Sequence, residues 1–562
     1  MRVMKTNRYS YPNGLNWVLI LAIALGVCFR LINLDRKVYW HDEVYTSMRA
    51  AGYTRGAIDQ EIFQNKVIPA SELQKFQQIK PGSTPADTVR SLEAEDPQHP
   101  PLYFLMARAW MGAFGGSILA SRMLPALLSL LSLPLMYLLA MELFSARLVA
   151  LLATALLALS PFDVLFAQTA RQYGLLATAV IGSSWLLLRA LRLRSPLDWI
   201  FYALSVAIGL YTHPFYALTM VTHGFCVLLF GLLGCGEPAA EREKTAPLRP
   251  ALDISSDRLI RPRSIRWRWL LEYAIANAAA LLLYAPWIAV LKANTNRALA
   301  TTDWARVQVG IDYLLKLWTL TFSSLFFDLD FGFENPLTLL VRLPFIALIL
   351  AAVVAIYRFT PRTTWIVVLK SIFIPFLLLA LPDLIMGGKR SAVSRYLISS
   401  FPGIQLAVAF LLAIGLGSGK QIWRWVLAIV FAASIVSCGT SAMAETWWNK
   451  DLSYSNAEVA QMINAEVPAD SAGLTAASPS TLVLSDIGDD YTNTGDLISL
   501  SYRLQSNVRL YLVKQPPDLN PLVNEAHVLV FRPSVAIRQA ISQRGWQLEM
   551  ISRPGRLWRL KQ

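Results

Sequence analysis

Long apolar runs separated by polar connections are the main pattern along this chain. Scanned at the length that a bilayer requires, about 20 residues, they predict about eleven membrane spans. The first run, 15–34, follows the basic residues Arg2, Lys5 and Arg8 and has no clear cleavage site, so we interpret it as a retained span. The other predicted spans lie at 120–139, 148–162, 174–188, 199–211, 215–233, 270–291, 336–357, 365–384, 396–416 and 423–438.

One further run, 100–114, decides the orientation of everything downstream. It is short and is interrupted by Arg108, so it reads either as a span or as a helix lying on the membrane surface. If it lies on the surface, the basic loops 189–194, 242–268 and 358–362 all fall on the side of the N-terminus, as the positive-inside rule requires. We therefore favour the surface helix, which predicts an internal N-terminus and an external C-terminus.

This orientation leaves sizeable external segments at 35–116, at 292–335 and after residue 438. The last of them alternates between predicted helices and strands, which is typical of a small α/β domain. The helices are predicted at 457–467, 496–504 and 534–544, and the strands at 481–485, 508–513 and 528–531. The Pro-containing, mixed-charge segment 237–263 reads as a flexible cytoplasmic loop.

Composition supports a mostly α, polytopic membrane protein with a small soluble α/β domain at its C-terminus. Of the 562 residues, 55% are apolar and 16% are charged, whereas soluble proteins carry about a quarter charged residues. Lys and Arg outnumber Asp and Glu by 51 to 37. That excess is spread through loops between apolar runs, where it orients a bundle in the bilayer, so nucleic acid is disfavoured as a partner.

Two adjacent carboxylates follow the first span. Asp42 and Glu43 lie in the segment 38–45, among Trp and Tyr residues of the kind that settle at a membrane interface. A carboxylate at this position could accept a proton from a nucleophile. A solvated acidic turn with aromatic anchors is the alternative for this pair.

Two later connections also carry polar candidates. His99 precedes Pro100 and could bind an anion or shuttle a proton, or it could be an ordinary polar residue before a Pro-initiated helix. Asp163 and Arg171 lie in the connection 160–173, where ionisable groups at membrane depth suggest function, with a structural ion pair as the alternative. His213 precedes Pro214 at another outer turn, and we interpret it as a capping or water-facing residue.

A basic cluster stands in the external loop 387–396, against the positive-inside rule. Lys389, Arg390 and Arg395 would suit a phosphate at the membrane surface, because Arg binds phosphate bidentately and Lys binds it as a point charge. General attraction to lipid head groups is the alternative. Tyr396 follows Arg395 directly and begins the next predicted span.

Taken in order, these motifs resemble one family. The segments 40–43, 99–103, 160–173 and 395–396 look like the membrane-embedded GT-C glycosyltransferases of the protein O-mannosyltransferase and lipid A aminoarabinose transferase type, which are glycosyltransferase family 39-like. The resemblance covers about residues 15–416. One departure concerns the second motif, where Gln98 and His99 stand in the neighbourhood of the family's lysine.

The resemblance implies a GT-C transmembrane catalytic domain over 1–440, with a first outer loop at 35–116. The orientation of the spans predicts a non-cytoplasmic α/β domain at 441–562, which the resemblance does not cover. The resemblance implies transfer of a sugar from a polyprenyl-phosphate carrier to a lipid, glycan or protein acceptor. The expected location is the bacterial inner membrane, with the site on the periplasmic or extracellular side. No cofactor is firmly implied, and a divalent cation is left open.

The resemblance also implies roles for individual residues. Asp42 matches the catalytic acidic position and Glu43 is its neighbour. Candidate donor-phosphate ligands are Arg171, Lys389, Arg390 and Arg395, and candidate substrate contacts are His99, Tyr173 and Tyr396.

Two other functions are compatible with parts of this pattern. A transporter or flippase of a lipid-linked substrate would also use outer cations, although the two halves of the bundle show no sequence symmetry. A nucleotide-sugar transferase could bind a metal through Asp486, Asp489 and Asp490, but that spacing reads equally well as a turn after a strand.

Overall fold

The computed structural model of the chain describes residues 13–233, 267–467, 481–490, 492–523, 525, 527–552 and 555–562. The basic residues Arg2, Lys5 and Arg8 and the predicted cytoplasmic loop 237–263 lie outside them. The α-helices of the described ranges are, in chain order, α1 Asn13–Leu31, α2 His41–Ala51, α3 Arg55–Ile62, α4 Pro85–Glu95, α5 Leu102–Phe114, α6 Ile118–Leu130, α7 Ser132–Phe144, α8 Arg147–Leu159, α9 Pro161–Ala167, α10 Tyr173–Leu193, α11 Pro196–Thr212, α12 Tyr216–Leu233, α13 Trp267–Ala293, α14 Thr295–Thr302, α15 Ile311–Ser323, α16 Leu337–Leu340, α17 Leu343–Phe359, α18 Arg362–Met386, α19 Phe401–Gly417, α20 Gln421–Met443, α21 Asn456–Ala465, α22 Asn493–Ser501 and α23 Val535–Gln543.

The predicted apolar runs are helical, because a segment in hydrocarbon must satisfy its backbone hydrogen bonds internally. Within the described ranges, eight helices are long and apolar enough to cross a membrane. The pair α8 and α9, bent by 56°, would form a ninth span, and α11 and α12 are shorter apolar helices. Each predicted span falls on one of these helices. The polytopic α-helical class is thus confirmed, and the number of spans stays a prediction.

The helix α5 corresponds to the ambiguous run 100–114. It has 13 residues, fewer than a bilayer requires. Its Arg108 is buried and donates to Ser83 O at 2.8 Å and to Ala50 O at 3.2 Å. Arg108 therefore anchors α5 to one backbone carbonyl of α2 and to one of the turn before α4.

The chain divides into two compact units. The first comprises 1–32, 96–103 and 125–442, and the second comprises 33–95, 104–124 and 443–562. The second unit therefore combines the C-terminal segment with most of the first predicted outer loop. The division into domains at residue 440 stays a prediction.

The first unit is a helical bundle whose start is held by buried polar groups. Arg30 is 1% exposed and donates to Gly26 O and Leu157 O, both at 2.9 Å. Gln168 donates to Phe29 O at 2.6 Å and Ile32 O at 2.9 Å. These bonds join the end of α1 to α8 and to the connection after α9.

The bend between α8 and α9 has a local cause. Ser160 is the N-cap of α9, its Oγ accepts from the backbone N–H of Asp163 at 3.3 Å, and Pro161 occupies the first turn. Asp163 in turn accepts a hydrogen bond from Gln405 at 2.8 Å. The chain then runs directly into the segment that carries Arg171.

The second unit contains a six-stranded mixed sheet. Its strands are β1 Lys66–Pro69, β2 Leu482–Ser485, β3 Arg509–Leu512, β4 Val528–Phe531, β5 Gln547–Met550 and β6 Leu557–Lys561, in the spatial order β1-β3-β2-β4-β6-β5. The strands β3, β2 and β4 are parallel, and the other pairings are antiparallel.

The core of the sheet has the pattern of a buried parallel sheet. The strands β2 and β4 are buried at every residue, and α23 packs on them through Ile537 and Ile541. The helix α23 begins at the N-cap Ser534, whose Oγ accepts from Ile537 N at 3.2 Å. The chain turns after it at Gly545, which has φ +75°. The predicted α/β domain is confirmed, and β1, which comes from the first loop, extends it.

Candidate active site

Asp42 and Glu43 lie in the first turn of α2. The backbone N–H of Trp40 donates to Glu43 Oε2 at 2.9 Å, which closes the N-terminus of the helix. Successive helical residues point about 100° apart, so the inward turn of Glu43 leaves Asp42 on another face. Glu43 is fully buried and Asp42 is partly exposed. The dipole of α2 favours a carboxylate in this turn.

Glu43 forms a buried ionic cluster with Arg122 and Lys450. Arg122 binds it bidentately, from Nε to Oε1 and from Nη2 to Oε2, both at 2.8 Å. Lys450 Nζ donates to Oε2 at 2.9 Å. All three side chains are at most 1% exposed. These contacts hold the Glu43 carboxylate in the interior of the second unit.

His41, the residue before Asp42, is tied to the C-terminal segment. Its backbone N–H donates to Ser453 Oγ, and this hydroxyl donates to Asp496 Oδ1, both at 3.0 Å. Asp496 is fully buried and also accepts from Arg556 at 2.7 Å. Burial lowers the pKa of His41, and it outweighs the nearby Asp42 and Asp496 carboxylates, which would raise that pKa. His41 is therefore neutral at neutral pH.

The first unit brings Arg171 and His99 together. Arg171 Nη2 lies 3.5 Å from His99 Nε2, and the amide of Gln172 lies 3.2 Å from His99 Nδ1. A guanidinium only donates, so His99 Nε2 is the acceptor in its contact with Arg171. Arg171 also lies over the Tyr173 ring, with Cζ 5.6 Å from its centroid.

His213 links this pair to the second cationic segment. Its ring lies 6.1 Å from that of His99 and 5.9 Å from that of Tyr173. It is 2% exposed. Burial, followed by the nearby His99, Arg171 and Arg395, holds the pKa of His213 well below its ordinary value. His213 does cap, because its Nδ1 accepts from Phe215 N at 3.1 Å, but it does not face water.

Lys389 and Arg395 lie around Trp304. Lys389 Nζ is 5.5 Å and Arg395 Cζ is 5.9 Å from the indole centroid. Tyr396 lies 6.5 Å from the same ring and 4.2 Å from Phe215, which stacks on His213 at 5.4 Å. Aromatic contacts thus connect the cations of the loop before α19 with His99 and Arg171.

Arg390 is placed differently from its neighbours. Its Nη1 lies 3.4 Å from Asp383, whose carboxylate is buried and also accepts from the backbone N–H and the hydroxyl of Ser391 at 2.6 and 2.7 Å. This arrangement stabilises the turn after α18. Arg390 therefore contributes mainly to the loop itself.

The acidic residues of the C-terminal segment are engaged within the second unit. Asp486 is buried and accepts from Gln515 at 2.8 Å, Asp489 accepts from Val535 N at 3.1 Å, and Asp490 pairs with Arg532 at 3.2 Å. In the part of the chain that the structure describes, no group of three or more His, Cys, Asp or Glu side chains is arranged to hold a metal ion.

Comparison with known proteins gives a partial sequence match. Residues 98–233 match the family model described as dolichyl-phosphate-mannose-protein mannosyltransferase. This range begins at Gln98 and contains His99, Arg171, Tyr173 and His213. No curated protein matches the sequence significantly.

Solved structures match over almost the full length. The crystal structure of ArnT from Cupriavidus metallidurans bound to undecaprenyl phosphate aligns with a TM-score of 0.51 at 14% identity, over 97% of each chain. The chain therefore shares the fold of this ArnT structure. The Archaeoglobus fulgidus oligosaccharyltransferase in complex with Zn and sulfate aligns with a TM-score of 0.45 at 12% identity, over 92% of this chain and 68% of that one. The family-model match over 98–233 and the ArnT structure confirm the predicted resemblance.

The geometry gathers most, but not all, of the predicted site residues. In the first unit, His99, Arg171, Tyr173, Lys389, Arg395 and Tyr396 belong to one connected cluster, while Asp42 and Glu43 belong to the second unit. The roles of all of them stay predictions. Sequence reasoning missed Trp304, Phe215, Arg122 and Lys450, since only the folded chain places these residues beside the motifs. The predicted capping role of His213 is confirmed, but not its contact with the site.

Proposed function

We propose that this chain is a GT-C glycosyltransferase that moves a sugar from a polyprenyl-phosphate carrier to a hydroxyl or amine of a lipid, glycan or protein acceptor. The observation that carries the proposal is the cluster of Arg171, Arg395 and Lys389, which is lined by aromatic rings and lies on connections between helices. Cations at such a place suit a lipid-borne phosphate, whose head group stays at the interface while its chain remains in the bilayer.

The chemistry that the cluster can supply is stabilisation of a leaving phosphate. Displacement at the anomeric carbon breaks the bond to the phosphate oxygen, and negative charge grows on that oxygen. Arg171 and Arg395 would donate charge-assisted hydrogen bonds to it and Lys389 would add a point charge. The Nδ1 of the neutral His213 accepts from Phe215 N, so its Nε2–H can donate a hydrogen bond without adding to the positive charge. A divalent cation bound with the phosphate would add to this stabilisation.

Asp42 is proposed as the base that activates the acceptor. It is partly exposed and lies in the first turn of α2, whereas Glu43 beside it is committed to buried cations. A positioned base contributes on the order of a hundred- to ten-thousandfold. Direct attack by the acceptor inverts the anomeric configuration, which is measurable by NMR of the product.

The proposed location is the outer side of a bacterial inner membrane. Loops 189–194 and 358–362 are basic, and the positive-inside rule assigns them to the cytoplasm if α5 lies on the surface. The loop with Lys389 and Arg395 is then external. A flipped lipid carrier reaches that side, whereas nucleotide sugars are made in the cytoplasm. The undecaprenyl phosphate bound to ArnT in the matched structure supports this class of carrier.

Reconstitution with defined donors tests the proposal. Wild-type protein in vesicles should transfer sugar from a polyprenyl-phosphate donor, and Asp42→Asn should abolish transfer while retaining donor binding. Asp489→Asn is the matched control, because Asp489 only caps the start of α23. Efficient transfer from a nucleotide sugar without lipid carrier, lost in Asp489→Asn, would refute the proposal.

A further inference from the structure

The ionic cluster around Glu43 uses every donor of one guanidinium. Arg122 Nε and one N–H of Nη2 bind the Glu43 carboxylate. Nη1 donates to Leu34 O at 2.7 Å and Lys37 O at 2.9 Å, and the second N–H of Nη2 donates to Val38 O at 2.7 Å. A guanidinium has five N–H donors, so Arg122 has none left for a substrate phosphate.

These acceptors lie on both sides of the start of α2. The three carbonyls belong to the turn that leads to Trp40, and the carboxylate belongs to the first turn of the helix. One planar group of fixed shape thus determines how the connection enters α2. Asp42 lies in sequence between Val38 and Glu43, both of which Arg122 binds. A change in how the chain enters α2 would therefore move the Asp42 carboxylate.

The short helical segment Trp448–Ser453 holds the same turn from the C-terminal side. Lys450 donates to Glu43 Oε2 at 2.9 Å, and Ser453 Oγ accepts from His41 N at 3.0 Å. The residues before and after Asp42 are therefore both attached to this segment. Ser453 is held in turn by the buried Asp496.

Charge adds to this geometry. Glu43, Arg122 and Lys450 together carry one negative and two positive charges, so the buried cluster has a net charge of +1 from these side chains. The carboxylate of Asp42 is the adjacent group that can balance it, and a nearby cation favours the ionised form that a base requires.

We propose that Arg122 and Lys450 are positioning residues, which fix the Asp42 carboxylate by clamping Glu43 between the first loop and the segment after α20. This inference rests on the proposed role of Asp42. It assigns a function to the start of the C-terminal segment, which supports the catalytic turn, and it reassigns Glu43 from chemistry to support.

The test separates positioning from donor binding and from general stability. Arg122→Lys keeps the positive charge but loses the bidentate geometry of the guanidinium. Lys450→Gln leaves Glu43 paired with Arg122. Both should lower kcat about ten- to a hundredfold, as expected when a reacting group is displaced by about an ångström, with the donor KM within twofold of wild type. Lys450→Arg should restore most of the lost kcat.

The matched control is Arg342→Lys in the first unit. Arg342 is also buried, pairs with Asp328 at 3.0 Å and donates to Phe327 O at 2.8 Å. It should lower the thermal unfolding temperature comparably but change kcat less than twofold. A kcat in Arg122→Lys and Lys450→Gln no lower than in this control would overturn the inference, as would a raised donor KM with normal kcat.

The two proposals fail separately. If Asp42→Asn is inactive while Lys450→Gln has normal kcat, the positioning role is wrong and the proposed function stands. If Asp42→Asn retains wild-type turnover, the base is misassigned, and a loss in Lys450→Gln would then count against positioning through Asp42 as well.

Discussion

Lys389 and Arg395 approach the same indole ring, with Nζ and Cζ 5.5 and 5.9 Å from the centroid of Trp304. The two positive charges repel each other, but each is attracted to the electron-rich face of the indole, which offsets the repulsion. A cation held in this way can still bind an anion. Trp304 is 41% exposed, so this arrangement is open to ligands.

Trp304→Ala should therefore impair donor use more than it impairs folding. Loss of the shared ring removes one cation–π contact from each cation, worth about 0.5–1 kcal/mol at a partly exposed site. We expect the donor KM to rise about three- to tenfold with little change in unfolding temperature. Steady-state kinetics with a varied polyprenyl-phosphate donor measures this, and Trp425→Ala, on an exposed face of α20, is the control.

Arg395→Ala and Arg390→Ala should differ although the two residues are close in sequence. Removal of one charge-assisted bond to phosphate costs about 1.5–3 kcal/mol, or roughly ten- to a hundredfold in donor efficiency. Arg390 pairs with Asp383, so its loss should mainly lower the unfolding temperature. Equal losses of kcat/KM in the two variants at matched stability would contradict this division.

The sequence predicted helices and strands well where the pattern of apolar residues within the element itself indicates them. The apolar runs became helices, and the strand predicted at 528–531 matches β4. The strand β1 was missed because its partner β3 lies more than 400 residues later, so its pairing of Lys66 with Leu512 leaves no local trace. The strands β5 and β6 were missed too, and β5 is largely exposed and lacks a buried apolar run.

The site was predictable only as a set of motifs. The motif residues His99, Arg171 and Arg395 are indeed gathered in the first unit. The residues that connect them were not predicted, because His213 looked like an ordinary cap before Pro214. Its ring lies against those of His99, Tyr173 and Phe215, which only the folded chain brings together. Arg122 stood inside an apolar run, where nothing local indicates that it reaches Glu43.

The sidedness of the C-terminus is a separate prediction. If α5 lies on the membrane surface, a reporter that is active only outside the cytoplasm should be active when fused after Gln562. A reporter fused within the loop 358–362 should be inactive in the same cells, because that loop is expected inside. The opposite pattern would reverse the orientation and move the proposed cation site to the cytoplasmic face.

Acidification should destabilise the second unit through His41. Burial lowers its pKa below the ordinary value of about 6.5, although Asp42, Asp496 and Asp451 act in the opposite direction and Arg532 adds to the lowering. As pH falls from about 6.5 toward the lower pKa of His41 in the folded state, the unfolded state binds more protons than the folded state. The contribution to stability is full above about pH 6.5 and is lost as pH falls toward the folded pKa.

His41→Gln should therefore flatten the pH dependence of unfolding. The unfolding temperature of purified wild-type protein should fall from pH 7.5 to 5.5, and the variant should lose less over the same interval, since each pKa unit corresponds to about 1.4 kcal/mol. The control is His527→Gln, at an exposed position in the same unit, which should retain the wild-type slope. The buried Nδ1 of His41 has no hydrogen-bond partner among the described residues, which is why we expect it to resist protonation. If His41→Gln leaves the slope unchanged, the imidazole binds its proton as readily in the folded state as in the unfolded state, and the prediction is wrong.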